Sequence, residues 1–183
     1  NQTVVWPMVQ LGDKVFHYST QIAGLINRTD AENNGIPSRS PSNRNLQMNG
    51  LVDSTGNEIV LDNEQANYLN GQGIVTAINF IGGHVAWGNR TAVYPAVSDP
   101  KDAFLSIRRM FDWVANSLVL SHWSKIDDPT NRRLVESVVD SANMWLNSLT
   151  PQYLLGAQVS FLRDDNPLTD LMDGKMVFDL KMT

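Results

Sequence analysis

Three histidines and one acidic segment are the side chains of this sequence best suited to catalysis or metal binding. His17, His84 and His122 lie on separate predicted elements, and none is followed three or four positions later by a histidine or carboxylate, the spacing of helical metal sites. The acidic segment, residues 164–174, lacks the internal glycine and the closing glutamate of a calcium-binding loop. We therefore expect no metal or other cofactor, and we interpret the segment as a solvated hairpin loop.

Two functional alternatives follow from the same kinds of residue. A hydrolase would need Asp164, Asp165 and His84 to converge in one concave pocket, but the sequence contains no G-x-S-x-G turn and no three-glycine dinucleotide fingerprint. A carbohydrate-binding or adhesin module would instead use exposed aromatic side chains such as Trp123 and Tyr153. Nothing in the sequence brings either set together, and we expect no enzymatic activity.

Two arginine pairs are the most prominent basic features. Arg108-Arg109 and Arg132-Arg133 lie near the starts of two predicted helices. The simpler interpretation is a solvated helix face with intramolecular pairs to Asp112 and Glu136, each four or fewer residues away. The alternative is a basic patch that contacts an acidic partner.

The segment GGHVAWGNRTAVYP, residues 82–95, combines residues typical of binding sites with residues typical of scaffolds. Gly82-Gly83 suits a two-residue hairpin turn. We interpret the segment as a hairpin and core strand in which Trp87 is buried, Gly88 permits close packing or a bulge, and Arg90 anchors the strand.

Two long helices are the clearest predicted elements. Asp99 as cap and Pro100 at the first position begin one helix, and Asp128 and Pro129 begin the other in the same way. Each carries an apolar stripe at helical spacing, which includes Phe111 in the first helix and Trp145 in the second. The short connection between them favours an antiparallel pair.

The remaining pattern predicts strands and short helices. Strands are predicted at 3–6, 74–81, 84–93, 157–165 and 175–182, and short helices at 19–26 and after Asp62 or Asn63. In the last strand apolar residues alternate with Lys175, Asp179 and Lys181. Because the helices are grouped between strands, we expect an α+β fold in which a small antiparallel or mixed sheet is covered by the helix pair.

Composition excludes several classes of protein. The chain has 183 residues, a net charge of −5 and no cysteine, so it lacks the basic surplus of a nucleic-acid-binding protein and every thiolate metal site. No apolar run approaches the roughly 20 residues of a membrane-spanning helix. We therefore expect neither nucleic-acid binding nor membrane insertion. The alternating pattern is uninterrupted up to Thr183, which predicts that the natural chain continues.

Several short motifs, read in order, resemble the contractile tail sheath proteins of bacteriophages and related contractile injection particles. They are QIAGLINRTD (21–30), PSRSPSNRNLQ (37–47), YLNGQGIVTAINF (68–80), WGNRT (87–91), IRRMFDWV (107–114) and GKMVFDLKM (174–182). Each is short, but their collinear order makes the resemblance specific. It implies that residues 1–68 end a subtilisin-like-fold region without protease activity, and that residues 69–183 form the conserved C-terminal sheath domain without its terminal arm.

The same resemblance implies a structural role in a virion tail, assembled in the cytoplasm of a bacterial host. A sheath subunit would polymerise with copies of itself around the tail tube, meet baseplate and tail terminator proteins, and contract to drive the tube through the host cell envelope. In that role Arg108, Arg109, Arg132 and Arg133 would contact the tube or a neighbouring subunit. Lys175, Asp179 and Lys181 would mark the sheet edge to which an arm adds.

Overall fold

The computed structural model describes residues 2–126 and 128–183, which divide into two compact units between Trp113 and Val114. The predicted α+β class is confirmed. Among the described residues, however, the strands form three small sheets, where the sequence pattern suggested a single one. The difference arises because four short segments between residues 8 and 59, for which the sequence pattern predicted no strand, form a sheet of their own.

The first unit contains two of these sheets. Its strands are β1 (Val4–Val5), β2 (Met8–Leu11), β3 (Lys14–Phe16), β4 (Gly50–Val52), β5 (Glu58–Ile59), β6 (Ile74–Phe80) and β7 (Gly83–Trp87). Strand β6 pairs in parallel with β1 and antiparallel with β7, and the antiparallel sheet has the order β3-β2-β4-β5. Its helices are α1 (Tyr18–Ala31), α2 (Asn63–Gly71) and α3 (Pro100–Ala103), and α4 (Leu105–Ser121) begins there.

The second unit contains the end of α4 and a helix that packs on a hairpin. Its elements are a 3₁₀ turn (Trp123–Lys125), α5 (Arg132–Leu149), β8 (Ala157–Ser160), α6 (Leu168–Met172) and β9 (Asp179–Met182). Strands β8 and β9 are antiparallel, with Ala157 opposite Met182. Because a two-stranded sheet is marginal on its own in water, the packing of α5 against β8 is essential to this unit.

Helix α1 holds the core of the first unit. Tyr18 is buried and donates a hydrogen bond of 2.8 Å to the carbonyl of Thr76, and burial raises the pKa of its phenol above the usual value. The helix runs past its predicted end at residue 26, because polar residues of its last turns have partners. Thr29 donates to the carbonyl of Leu25 at 2.8 Å, and Asp30 pairs with Arg109.

The β6–β7 hairpin turns one residue earlier than predicted. Phe80 lies opposite Gly83, so the two turn residues are Ile81 and Gly82, both with positive φ. The following strand ends at Trp87 because Gly88 has a φ of 128°. A side chain at position 88 would press against Asn70 and lie 3.2 Å from the Cα of Val75. Of the two expectations for Gly88, close packing or a bulge, these contacts favour close packing.

The first predicted long helix is interrupted at Phe104. Asp99 caps α3 through a 3.0 Å bond from the Lys101 amide, as expected, but Phe104 is extended and forms a bridge with Arg90. Leu105 then donates to the carbonyl of Asn89 at 2.8 Å. Because Asn89 and Arg90 lie outside the helix, periodicity alone did not reveal the break.

The second predicted long helix begins later than expected. Asn131, not Asp128, is the cap, because its side chain accepts a 2.9 Å bond from the amide of Leu134. Asp128 instead pairs with Lys125 at 3.5 Å. The helix pattern from Leu134 onward is confirmed, although its first two turns are only half-buried.

The predicted strand at 175–182 is regular only in its second half. In the first half of this segment, the side chain of Asn166 bonds to the backbone of Val177 as a neighbouring strand would. It accepts from the amide of Val177 at 2.8 Å and donates to the Val177 carbonyl at 2.9 Å. The acidic segment before it, predicted as a loop, contains the short helix α6. The alternation itself is confirmed, since Lys175 and Lys181 are exposed while Met176 and Phe178 are half-buried.

We predict that Gly88→Ala destabilises the protein by about 2 to 4 kcal/mol, because it adds backbone strain and a steric clash. Gly24→Ala is the matched control. Gly24 lies in α1 without a positive φ, and a Cβ at this position would meet no atom within 4 Å beyond the backbone of its own helix, so this change should be neutral or stabilising by up to about 1 kcal/mol. Urea denaturation of both variants measures the difference, and equal midpoints would contradict the packing described here.

Candidate subunit interface

The hairpin of β8 and β9 has one closed edge and one open edge. Gly156 and Thr183 exchange hydrogen bonds of 3.4 and 2.9 Å just beyond the paired strands. Because bonded and non-bonded pairs alternate in an antiparallel ladder, the backbone groups of Ala157 and Val159 face away from β9 on one side, and those of Leu180 and Met182 face away from β8 on the other.

Asn143 of α5 closes the β8 edge. Its side chain accepts a hydrogen bond of 2.8 Å from the amide of Val159 and donates one of 2.9 Å to the Val159 carbonyl. The side-chain amide of Asn143 thus forms the two hydrogen bonds that a neighbouring strand would form, and it connects α5 to the hairpin. Among the described residues, β9 pairs with no strand other than β8. The outward N–H and C=O groups of Leu180 and Met182 therefore form an open edge that can accept a further strand.

Of the three charged residues predicted along this strand, Lys175 precedes β9 and is exposed, Asp179 begins β9 and is half-buried, and Lys181 is exposed. Lys181 pairs with Asp179 at 3.4 Å, and Lys175 pairs with Asp173 at 3.7 Å. Both lysines are largely exposed, so each pair contributes little to stability. Their predicted role in an interface stays a prediction, and their position beside the open edge is compatible with it.

The first arginine pair is engaged within the first unit. Arg108 contacts Asp112 at 2.6 Å and Asp102 at 3.1 Å, and the Asp112 hydrogen bond raises the pKa of the guanidinium above its usual value. Arg109 forms a bidentate pair with Asp30 of α1, in which both side chains are mostly buried. The intramolecular pair with Asp112 matches the simpler of the two sequence interpretations, whereas the pair with Asp30, 79 positions away, was not visible in the sequence.

The second arginine pair is the more accessible one. Arg132 is 91% exposed and contacts Glu136 at 2.7 Å, and this hydrogen bond raises the pKa of its guanidinium. Arg133 lies beside Glu136 and Asp140 on the exposed face of α5. The two arginine pairs belong to different units, and their contact with a tube or neighbour stays a prediction.

The predicted core residues are less deeply buried than expected. Trp87 is half-buried, because its indole N–H reaches the side chain of Asn67 at 2.9 Å at the surface. Phe111 and Trp145 are also half-buried. Arg90 does anchor its segment, since its guanidinium carbon lies 3.9 Å from the centre of the Phe104 ring and 4.3 Å from that of Tyr94.

The three histidines lie on separate segments of the chain. Within residues 2–126 and 128–183, no group of three or more histidines, aspartates and glutamates is arranged to hold a metal ion. His122 contacts the carbonyl of Leu118 at 2.9 Å and the hydroxyl of Ser141 at 3.0 Å. Burial lowers the pKa of His84, with Glu58 acting in the opposite direction. His17 precedes α1 and makes no capping hydrogen bond with its side chain.

An apolar groove in the second unit was not anticipated from the sequence. Its volume is about 460 Å³, and its lining includes Leu118, Val119, Ile126, Val138, Phe178 and Leu180. Val119 and Ile126 are 57% and 62% exposed. Both residues were missed because a sequence pattern cannot distinguish an apolar face covered by the same chain from one left open. No described helix is long and apolar enough to span a membrane.

Comparison with curated proteins relates the chain to tail sheath proteins. It is 33% identical over 173 residues to the tail sheath protein of Burkholderia phage BcepMu, a match that covers 90% of this chain and 35% of that protein. It is 30% identical over 186 residues to a putative prophage major tail sheath protein of Pseudomonas aeruginosa strain UCBPP-PA14, covering 98% of this chain and 45% of that protein. The chain thus spans less than half the length of these relatives. No protein-family model matches it.

Solved structures show the same fold. A chain of the six-fold symmetrised baseplate of the anti-feeding prophage matches with a TM-score of 0.82 at 25% identity, over 99% of this chain and 50% of that one. A chain of the contracted PVC sheath complex, from an extracellular contractile injection system, gives 0.81 at 21% identity over 99% and 51%. The contracted helical sheath of the anti-feeding prophage gives 0.79 at 24% identity, with the same coverage. The resemblance stated from the sequence motifs is confirmed.

We predict that Arg109→Ala lowers the free energy of unfolding by about 1 to 3 kcal/mol, since it leaves Asp30 without its charged partner in a mostly buried site. Arg132→Ala, which removes an exposed arginine that also pairs with a carboxylate, should leave the unfolding midpoint unchanged. Chemical denaturation of the two variants tests this contrast. An insensitive Arg109 would show that the pair with Asp30 does not support the first unit.

Proposed function

We propose that this chain, a homologue of part of the phage tail sheath proteins, is the C-terminal conserved region of a structural subunit of a contractile sheath. The observation that carries the proposal is the sequence match to two proteins of that name over 90% and 98% of the chain. The structural matches over 99% of the chain support it. They support neither the adhesin nor the hydrolase alternative.

The sheath would assemble from identical subunits in head-to-tail contact. Such heterologous contacts build rings where the rotation closes and helical tubes where it does not, which suits stacked hexameric rings around a tail tube. Its partners would be other copies of itself, the tube, and the baseplate and tail terminator proteins. Assembly would take place in the bacterial host cytoplasm, whether the particle is a phage or a prophage-derived injection device.

The open edge of β9 offers a physical means of linking subunits. The two N–H and two C=O groups of Leu180 and Met182 that face away from β8 would accept a strand from a terminal arm of a neighbouring subunit. At about 1 kcal/mol net for each hydrogen bond, this backbone pairing contributes about 4 kcal/mol. Lys175, Asp179 and Lys181 flank that edge and would meet the side chains of the added strand.

Contraction would then proceed without any catalytic residue. Strand links hold while the weaker contacts between domain surfaces rearrange, so that an extended, metastable sheath shortens by rigid-body movement towards more favourable packing. The released free energy would push the tube through the cell envelope and permit genome ejection in a phage. In this scheme residues 1–68 end the preceding subtilisin-like region, residues 69–183 form the C-terminal domain, and the four arginines face the tube or a neighbour.

Negative-stain electron microscopy of the complete natural protein that carries this sequence tests the proposal directly. We expect hollow striated tubes or stacked rings at high protein concentration, because the subunit supplies both sides of each contact. A compact monomer at every concentration, with or without a tail tube as nucleus, would contradict the proposed function.

We predict that Met182→Pro in the complete protein abolishes these assemblies while the subunit stays folded. Proline removes an N–H that faces away from β8, so the β8–β9 ladder keeps its hydrogen bonds while the open edge loses a donor. Met182→Ala is the matched control: it shortens the same side chain but keeps the N–H, and it should assemble. Circular dichroism reports folding and sedimentation reports assembly. Normal assembly of the proline variant would show that β9 receives no added strand.

A further inference from the structure

The tip of the β6–β7 hairpin has a β-branched residue at a position with positive φ. Ile81 has a φ of 48°, in the left-handed region, and its turn partner Gly82 has a φ of 80°. A β-branched side chain is strongly disfavoured there, and a two-residue turn of this kind prefers Asn-Gly or Asp-Gly. The sequence thus places isoleucine where asparagine would be more stable.

No contact among the described residues accounts for that choice. Ile81 is 90% exposed, and the neighbouring Phe80 is 46% exposed. The segment 78–83, INFIGG, carries no charge, so the tip presents two large apolar side chains to water. Strained, exposed apolar residues are typical of contact sites with another molecule.

The apolar groove of the second unit has the properties that such a tip needs. Its volume of about 460 Å³ falls in the ~300–1,000 Å³ range of pockets that bury small apolar ligands, which is enough for two side chains. Its exposed residues Val119 and Ile126 lie on one face of α4 and the turn that follows it. The charged residue that lines it, Lys125, is already paired with Asp128.

We propose that the Phe80–Ile81 tip of one copy inserts into the apolar groove of a second copy of this chain. A second copy is the occupant that the chain itself favours, because it carries both an uncharged projecting tip and a largely apolar groove. A projection on one surface that fits a pocket on another makes a heterologous contact, the kind that propagates into rings and helices. This contact rests on the proposed function, and it uses apolar side chains instead of the outward backbone groups of β9.

The first test is Ile81→Asn in the complete natural protein. Asparagine suits the left-handed turn, so the variant should raise the Tm of the unassembled subunit by about 2 to 4 °C. It removes the apolar contact, so the protein concentration needed for assembly should rise about ten-fold or more. The control is Val60→Asn, since Val60 is also an exposed apolar residue of the first unit but lies outside the tip, and its assembly should be unchanged.

The second test uses opposite charges to identify the occupant. Ile81→Glu and Val119→Lys should each block assembly, because each buries an unpaired charge. The double variant should restore assembly, since each contact then contains one charge of either sign. Restoration supports the proposed contact. Two results would overturn it. One is blocked assembly in the double variant, and the other is a photo-cross-linker at position 81 that reacts with a protein or segment other than the groove.

The outcomes also separate this contact from the proposed function. Polymers of the wild-type protein together with normal assembly of Ile81→Asn would overturn the contact and leave the sheath function standing. A wild-type protein that forms no polymer would overturn both.

Discussion

The side-chain amide of Asn143 determines which surface of the second unit is left open. A two-stranded hairpin has two free edges and little stability of its own. By bonding to both backbone groups of Val159, Asn143 closes one edge and fixes α5 across the hairpin. The outward groups of Leu180 and Met182 are then the remaining edge. Because α5 both supports the hairpin and occupies one of its edges, a further strand can add only at the other edge.

Two positions of the first unit, Gly88 and Ile81, have a positive φ for different reasons. At Gly88 the positive φ is explained internally, because the absence of a side chain lets the segment approach Asn70 and Val75. At Ile81 no contact among the described residues compensates for it. Because backbone strain persists where it is compensated elsewhere, we attribute the positive φ at Gly88 to internal packing and the strain at Ile81 to the contact with a second copy proposed above.

Local sequence chemistry predicted the elements whose stabilising partners are close in sequence. The cap at Asp62, whose carboxylate accepts from the amide of Gln65 at 2.7 Å, and the pairing of β6 with β7 are examples. Features that depend on distant residues were missed. Phe104 leaves the helical conformation because it forms a bridge with Arg90, and the groove at Val119 exists because no described segment covers that apolar face. The resemblance to tail sheath proteins was recognised from collinear motifs, because no group of candidate catalytic residues stands out in the sequence.

A cryo-electron microscopy reconstruction of the assembled polymer, at a resolution that traces the backbone, would show whether a strand adds to β9. We expect a strand from another copy, hydrogen-bonded to the outward edge of β9 at Leu180 and Met182, with Asn143 still bonded to the β8 edge. A polymer in which that edge of β9 faces solvent in every subunit would contradict this expectation.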